Sequence, residues 1–204
     1  MSERISPTLV SAASDAYANE AERIAAAQRG NATAFNQLVV DYQELAFNVA
    51  LRIVGEPDSA ADVAQDAFLS AFRHLDQFKG GSFRSWLIRI VTNGCYDLLR
   101  SRQRRKGQSL DQLIEASAFD VADPGELPES VTLRHDFLEK LELGLQTLPV
   151  DQRAVLVLYD LHRLSYEEIS SALDINVGTV KSRLSRARAR LRDYLMQHPE
   201  LWRD

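Results

Sequence analysis

The sequence predicts an all-α protein of two small helical domains joined by an acidic, flexible linker, and three observations support this. Apolar residues recur every three or four positions along most of the 204-residue chain, which is the spacing of one helix face. No segment alternates polar and apolar residues over the length of a convincing strand. Residues 107–130 hold six acids and no Lys or Arg, and Pro124, Gly125 and Pro128 interrupt them, as is typical of a linker.

The two domains are therefore expected at residues 20–106 and 131–204. Residues 1–19 are polar and rich in alanine, so they offer little to pack and we expect a loosely ordered leader there. The helical pattern begins at Glu20. Its clearest part is a long amphipathic helix over residues 35–53, which we expect to end near Gly55.

Two further helices complete the first domain. Ser59 and Asp62 have the spacing of a capping pair and would open the next helix, which places Phe72 on its core face. Residues 76–82, DQFKGGS, break that helix with paired glycines. The helical pattern resumes over residues 83–105 and closes in a cluster of basic residues.

The second domain is predicted to start near Val131 with a helix that Pro149 ends. A short buried helix follows over residues 151–161. Ser165 and Glu168 then have the spacing of a capping box, in which the hydroxyl and the carboxylate each accept a hydrogen bond from a backbone N–H at the start of a helix.

A tight turn separates this helix from the last one. The turn, Asp174-Ile175-Asn176, contains residue types that tolerate turn geometry, and Asn176 can cap the helix that follows. Two short helices joined by such a turn match the helix-turn-helix arrangement, whose second helix enters the major groove of DNA with its N-terminus first.

The second helix of this pair carries charge of almost one sign. From Lys181 to Arg192 it holds six cations and no acid, while Val180, Leu184 and Leu191 recur as a buried stripe. A solvated basic helix in a bundle is the simpler alternative, but the capping box, the turn and the interleaved hydroxyl residues favour DNA contact. The candidates for that contact are Thr179, Lys181, Ser182, Arg183, Ser185, Arg186 and Arg188.

The glycine loop of the first domain mixes cations, open backbone and aromatic rings, a combination that suits single-stranded bases and their phosphates. Lys79, Ser82 and Arg84 are its candidate contacts, whereas Phe83 and Trp86 have core packing as their alternative role. On the preceding helix a polar face lies opposite the core stripe. Most such faces are only solvated, and partner binding is the alternative for its members, Asp62, Gln65, Asp66 and Arg73.

Composition limits the classes of function. The net charge of −5 means that nucleic-acid binding must come from local basic patches. Cys95, the single cysteine, excludes an internal disulfide; it is expected to be a small helix residue, with a redox-sensing thiol as the alternative. The four histidines have no ligand spacing, so we expect no metal and no cofactor. We find no apolar run long enough for a membrane span and no signal-peptide pattern, and expect a cytoplasmic protein.

Four segments together resemble the extracytoplasmic-function (ECF) sigma factors of bacterial RNA polymerase. They are AADVAQDAFLSAFRHLDQF, FRSWLIRIVTNGCYDLLRSRQRR, LPVDQRAVLVLYDLHRLSYEEIS and VGTVKSRLSRARARL, in that order. The resemblance makes residues 20–106 sigma region 2 and residues 131–204 sigma region 4. It departs at Asp174, where such turns often have glycine, and in the length of the leader.

The resemblance implies partners and roles for named residues. Core polymerase would contact the polar face of Asp62, Gln65, Asp66 and Arg73 through the clamp coiled coil of its largest subunit. Region 4 would read the minus-thirty-five promoter element as duplex, and an anti-sigma protein would control the factor. Region 2 would bind and help to melt the minus-ten element through Lys79, Gly80, Ser82, Phe83, Arg84, Asn93, Arg100 and Arg104.

Two rival functions remain at this point. A dimeric helix-turn-helix regulator would bind palindromic duplex sites tightly by itself, with the first domain as a sensor. A helical enzyme would need a nucleophile with a base, a carboxylate pair in a pocket or a metal-ligand spacing, and the sequence offers none of these. We therefore expect a transcription initiation factor without catalysis of its own.

Overall fold

The computed structural model describes residues 19–108 and 129–198, and within these ranges it consists of α-helices and tight turns. The predicted leader, except for residue 19, and most of the predicted acidic linker lie outside the described residues. The all-helical fold class that the sequence predicts is confirmed for the described part of the chain.

The first half of the chain packs its helices around one apolar core. The N-terminal helix α1 covers residues 19–28, and the helices that follow are α2 (Ala32–Val54), α3 (Pro57–Arg73) and α4 (Phe83–Gln108). A 3₁₀ turn at Leu75–Gln77 links α3 to the glycine loop. The helices α2, α3 and α4 contact one another, and their largest fully buried side chains include Leu38, Ile53, Phe83, Leu87 and Ile88.

The ends of α2 follow from local chemistry. The side chain of Asn31 accepts a hydrogen bond from the N–H of Ala34 at the start of the helix, 3.1 Å away. Gly55 ends the helix in the left-handed conformation, with φ 89°, and this glycine cap confirms the predicted end.

The predicted start of α3 is wrong, because the cap residue is Glu56, three residues before the expected cap Ser59. Pro57 occupies the first turn, where its fixed φ suits a helix and its missing N–H is not needed. Glu56 precedes it as the cap residue, and the hydroxyl of Ser59 donates to the Glu56 carboxylate at 3.0 Å instead of capping the helix. Phe72 was also expected in the core, but it is 50% exposed, and its ring lies tilted by 60° against that of Phe35 with the ring centres 4.9 Å apart.

The second half forms a smaller bundle. Its helices are α5 (Glu129–Thr147), α6 (Val150–Leu156), α7 (Tyr166–Leu173) and α8 (Val177–Leu195), and a π-helical turn (Val157–Leu161) continues α6. The capping box is present: the Ser165 hydroxyl accepts from the Glu168 N–H at 3.1 Å, and the Glu168 carboxylate accepts from the Ser165 N–H at 2.8 Å. This confirms the sequence prediction for the entry to α7.

The turn between α7 and α8 also has the predicted chemistry. Asp174 takes the left-handed conformation, with φ 54° and ψ 47°, which explains how the chain turns without glycine. The side chain of Asn176 accepts from the N–H of Thr179 at 2.7 Å and so caps α8.

The two halves pack directly on each other, which the sequence did not predict. Helix α7 lies against α4, and α5, α6 and the π-helical turn lie against α2. The apolar core is therefore continuous from the first half into the second.

Candidate nucleic-acid and polymerase interface

Helix α8 is anchored through its apolar stripe and presents its polar residues outward. Val180, Leu184 and Ala187 are buried against α6 and α7. This fixes the rotation of the helix, since residues three and four apart share a face. Lys181, Ser185 and Arg186 are exposed, while Thr179 and Ser182 are half-buried.

Two of the predicted DNA contacts on α8 are held by acids of the protein itself. Arg183 is ion-paired with Asp151 at the start of α6, at an N–O distance of 3.1 Å. Arg188 binds both carboxylate oxygens of Asp160, with its Nε 3.0 Å from Oδ2, and its guanidinium lies 5.2 Å from the centre of the Tyr159 ring. The hydrogen bonds from Arg188 to Asp160 raise the pKa of Arg188 further.

A stack of aromatic rings supports the basic helix. Tyr159 and Tyr166 lie nearly parallel, with ring centres 4.9 Å apart. The ammonium of Lys181 lies 5.4 Å from the centre of the Tyr166 ring, within the range of a cation–π interaction. The sequence shows these tyrosines, but their pairing depends on how α7 packs against the end of α6.

The glycine loop exposes backbone and polar side chains beside a ring cluster. Gly80 and Gly81 have φ of 100° and 88°, and no atom lies within 4 Å of a Cβ built on either. Lys79 and Ser82 are exposed. The Ser82 hydroxyl accepts from the N–H of Ser85 at 3.1 Å and so caps α4.

The aromatic residues near the loop divide between core and surface. Phe83 is 1% exposed, and its ring centre lies 5.7 Å from that of Phe78 and 5.6 Å from that of Trp86. Its ring is out of reach of a nucleotide in this conformation. Trp86 is half-buried and borders the cleft beside the loop.

The remaining predicted minus-ten contacts lie along α4. Asn93, Arg100 and Arg104 are exposed, and the last two lie on the C-terminal half of the helix. Arg84, at the start of α4, instead donates to the backbone carbonyl of His162 in the second half, at 2.6 Å. Arg84 is therefore engaged in a hydrogen bond within the protein, whereas Arg100 and Arg104, farther along the same helix, are exposed.

The polar face of α3 divides between two clefts. Asp62 and Asp66 border one of about 630 Å³ between α3 and α4, together with Asn93. Gln65 borders the other, of about 760 Å³ between α2 and α3. Arg73, at the C-terminal end of α3, is exposed.

The cleft between α2 and α3 is an apolar groove that sequence reasoning missed. Phe72 and Leu69, on α3, are 50% and 47% exposed, and the groove is completed by Phe35, Val39 and Phe68 among others. The sequence shows that Leu69 and Phe72 are apolar and three residues apart on one helix, but it does not show whether a neighbouring helix covers them. Open apolar grooves of this kind are candidate binding surfaces.

Cys95 lies in the core of the first half with no exposed area. Burial raises the pKa of its thiol to about 12, so the thiol stays protonated at neutral pH. No helix in the described part of the chain is long and apolar enough to cross a membrane. Among the same residues, no group of three or more His, Cys, Asp or Glu could hold a metal ion.

Each half of the chain matches the model of a sigma-factor region. The model described as Sigma-70 region 2 matches residues 38–105, and the model described as Sigma-70, region 4 matches residues 138–191. The two matches occur in the order and at the positions that the sequence segments indicated.

Curated relatives agree with this match. The ECF RNA polymerase sigma-E factor of Escherichia coli is 40% identical over 167 residues, which cover 79% of this chain and 86% of the relative. The RNA polymerase sigma-H factor of Pseudomonas aeruginosa is 39% identical over 166 residues, with 79% and 86% covered. The ECF RNA polymerase sigma factor SigE of Mycolicibacterium smegmatis is 34% identical over 164 residues, which are 80% of this chain and 62% of that relative.

Solved structures share the fold. The sigma factor RpoE from Bartonella quintana, in complex with the anti-sigma factor NepR, matches with a TM-score of 0.65 and 30% identity over 79% of this chain and 96% of that one. CnrH, in complex with the cytosolic domain of CnrY, matches with a TM-score of 0.63 and 28% identity over 88% and 98%. With both regions matched in order and relatives at up to 40% identity, the chain belongs to the ECF group of the sigma-70 family of RNA polymerase sigma factors.

Proposed function

We propose that this sigma factor directs core RNA polymerase to promoters with two separate elements. Residues 20–106 serve as region 2, which captures the minus-ten element, and residues 131–204 serve as region 4, which reads the minus-thirty-five element. The ordered match of the chain to both sigma regions is the observation that carries this proposal.

Duplex reading is assigned to the N-terminal part of α8, which we name the recognition helix. The exposed side chains of Lys181, Ser185 and Arg186 lie together there, with Thr179 and Ser182 beside them. Such a helix places its first turns in the major groove, where side chains reach base edges. Arg183 and Arg188 would join the contact when phosphates compete with Asp151 and Asp160 for their guanidinium groups.

Single-strand capture is assigned to the glycine loop and α4. The open backbone at Gly80 and Gly81 lets a nucleotide approach closely, and Lys79 and Ser82 supply polar contacts. Each extruded base has an unpairing cost of a few kcal/mol, which these contacts offset. Arg100 and Arg104 would hold the adjacent phosphates.

Core polymerase is the proposed partner of α3. Asp62, Gln65, Asp66 and Arg73 are exposed and lie on both sides of this helix. The carboxylates of Asp62 and Asp66 favour a partner that presents basic side chains, and the apolar groove beside Gln65 would bury apolar ones. These features fit the clamp coiled coil of the largest polymerase subunit, which the sigma family contacts.

An anti-sigma protein is the proposed regulator. The RpoE relative from Bartonella quintana was solved in complex with such a protein. In this chain the groove between α2 and α3 and a second apolar cleft of about 340 Å³ between α5 and α8 are open surfaces that a regulator could cover. We further propose that the protein acts in the cytoplasm and has no catalytic activity of its own.

Run-off transcription tests the proposal. Purified core polymerase is given a pool of genomic fragments, beginning with the region upstream of this protein's own gene, with and without the protein. We expect protein-dependent transcripts with defined start sites and asymmetric promoter elements. Tight binding of the protein alone to palindromic duplex, without transcripts, would instead support the dimeric regulator.

A second experiment addresses the regulator. The tagged full-length protein is recovered from cells of its source organism grown without inducing stress, and the bound proteins are identified. Recovery of a stoichiometric partner that blocks run-off transcription when added back supports an anti-sigma protein. Recovery of polymerase subunits alone contradicts this part of the proposal.

A further inference from the structure

Two aspartates of the second half pair with arginines of α8. Asp151 lies in the first turn of α6 and binds Arg183 at an N–O distance of 3.1 Å. Asp160 lies in the π-helical turn that continues α6, and its two carboxylate oxygens bind Arg188. Because α6 packs along α8, the segment that anchors this helix also supplies the acids that neutralise two of its cations.

The two arginines border the buried stripe of α8 on opposite sides. Arg183 follows the buried Val180 by three residues, and Arg188 follows the buried Leu184 by four. Five residues of an α-helix turn through about 140°, so the two side chains leave the helix in different directions. The exposed face that carries Ser185 lies between them. Positions that flank the face assigned to base edges suit contacts with phosphates on either side of the groove.

The guanidinium of Arg188 is held in a defined place. Its Nε lies 3.0 Å from Oδ2 of Asp160, and the second oxygen of the same carboxylate binds its terminal nitrogen. The ring of Tyr159 lies 5.2 Å below it, and that ring is stacked on Tyr166. A forked contact of this kind is stronger than a single charged hydrogen bond. Arg188 therefore gives up several contacts when it binds a phosphate.

The pair of Arg183 is partly shielded from water. Its side chain is 25% exposed and that of Asp151 is 44% exposed. The carboxylate also lies at the N-terminus of α6, where the helix dipole favours a negative charge. Asp151 therefore stays ionised at neutral pH and remains a competitor for this arginine.

Resting on the proposed function of region 4, we propose that Asp151 and Asp160 are specificity-determining residues that limit its binding to unrelated DNA. Phosphate contacts supply essentially all of the affinity for duplex of unrelated sequence, and each acid competes with the phosphates for one arginine. On the minus-thirty-five element, base contacts fix the position of the helix and supply part of the affinity. The acids therefore reduce the binding of unrelated duplex more than that of the element.

Removal of one carboxylate at a time tests the proposal in the full-length protein. Asp151→Asn and Asp160→Asn keep the shape of the side chain and remove its charge. Fluorescence anisotropy at several salt concentrations measures binding to a labelled duplex of unrelated sequence and to the minus-thirty-five duplex identified by run-off transcription. Asp193→Asn is the matched control, because it makes the same charge change on α8 at a side chain that is 69% exposed and lies outside both pairs.

We expect each variant to bind the unrelated duplex about threefold or more tightly than the wild type, the order of effect of one surface ion pair. The salt dependence of binding should become steeper by about one counterion, because one more arginine meets the phosphates. The gain on the minus-thirty-five duplex should be smaller, so that the ratio of the two affinities falls. Asp193→Asn should stay within about twofold of the wild type.

A double variant shows whether the acid acts through its arginine. Asp151→Asn combined with Arg183→Gln should bind the unrelated duplex no more tightly than Arg183→Gln alone, because the charge for which the acid competes is gone. As the control, Asp151→Asn combined with Arg192→Ala should keep its gain relative to Arg192→Ala. A gain that persists in the Arg183→Gln background overturns the role of Asp151.

Unchanged affinity of either single variant for the unrelated duplex overturns the role of that aspartate. An equal gain on both duplexes, or an equal gain in Asp193→Asn, overturns the role in specificity. Run-off transcription separates these results from a failure of the proposed function. If the wild type directs transcription from defined start sites and the variants bind unrelated duplex as it does, only the role of the acids fails. If the wild type gives no protein-dependent transcripts, the proposed function fails.

Discussion

The basic side chains of the recognition helix look alike in the sequence, but they have different interaction partners in the structure. Arg183 and Arg188 are paired with Asp151 and Asp160. Lys181 rests on the ring of Tyr166, and Arg186 is exposed. An arginine that is already paired with a carboxylate of the protein must give up that ion pair to bind a phosphate. Its net contribution to the free energy of DNA binding is therefore smaller. Lys181 and Arg186 are therefore the first cations to test.

We expect Lys181→Ala and Arg186→Ala each to reduce transcription from a promoter that depends on its minus-thirty-five element by about tenfold, the effect of one good base or phosphate contact. If the lost side chain contacts a phosphate, the variant should also show a salt dependence of region 4 binding that is lower by about one counterion. The measurement is run-off transcription and duplex binding at several salt concentrations.

Arg192→Ala is the matched control for these substitutions. Arg192 lies on the last turn of the same helix, its side chain is 72% exposed, and the acid beside it is its neighbour Asp193. It should leave transcription within about twofold of wild type, as an exposed charge outside the contact would. Equal losses in all three variants would show that the helix binds DNA through its charge alone.

Cys95 should be unreactive in the folded protein. It has no exposed area, and burial raises the pKa of its thiol to about 12, so almost no thiolate is present at pH 8. We expect an aromatic disulfide reagent to label it only when guanidinium unfolds the chain, where one thiol per molecule should react. Rapid labelling of the native protein would revive the redox-sensing alternative.

At the scale of elements, the sequence predicted those features that local chemistry decides. The capping box at Ser165, the cap at Asn176 and the end of α2 at Gly55 depend on residues within one turn, and the structure confirms them. The start of α3 was missed because Pro57 and Ser59 both suit a helix start, and pattern alone does not rank them. Phe72 was misplaced because periodicity shows which face is apolar but not whether a neighbour covers it.

The capping box gives a prediction at this scale. Ser165→Ala removes the oxygen that accepts from the Glu168 N–H, so we expect the free energy of unfolding to fall by about 1 kcal/mol. Ser171→Ala, at an exposed position on the same helix, is the control and should stay within about 0.5 kcal/mol of wild type. Urea unfolding followed by circular dichroism measures both, and a loss in the control as large as that in Ser165→Ala would contradict the capping account.

At the scale of the whole molecule, the sequence predicted two helical units but not their contact. That contact depends on Arg153, whose guanidinium donates to the carbonyls of Ile53 near the end of α2 and of Gln146 near the end of α5. Ile53 lies 100 residues before Arg153 in the sequence. Every residue has a backbone carbonyl, so no pattern of side chains in the sequence predicts which carbonyls will accept hydrogen bonds from a buried arginine. In the sequence Arg153 does not differ from the other basic residues, and only the structure shows that it is buried.

The same contact makes stability depend on pH through His162. Burial, together with the charges of Arg52 from α2 and Arg84 from α4, lowers the pKa of this histidine to about 4, from 6.5. Between these values the unfolded chain binds more protons than the folded one, so this residue's contribution to stability is complete above pH 6.5 and is lost as the pH falls towards 4. Glu142, which pairs with Arg52, acts in the opposite direction, because burial raises its pKa.

Comparing wild type with His162→Gln isolates the histidine, since the carboxylates titrate in both proteins. We expect the stability of the wild type relative to the variant to decrease from pH 7 to pH 5, because only the wild type must keep a buried imidazole neutral between two arginines. Urea unfolding at both pH values measures the difference. A constant difference would mean that His162 is solvated in solution and that the halves do not close around it, whereas a decrease in the full-length chain places the histidine at a contact that is formed in the free protein.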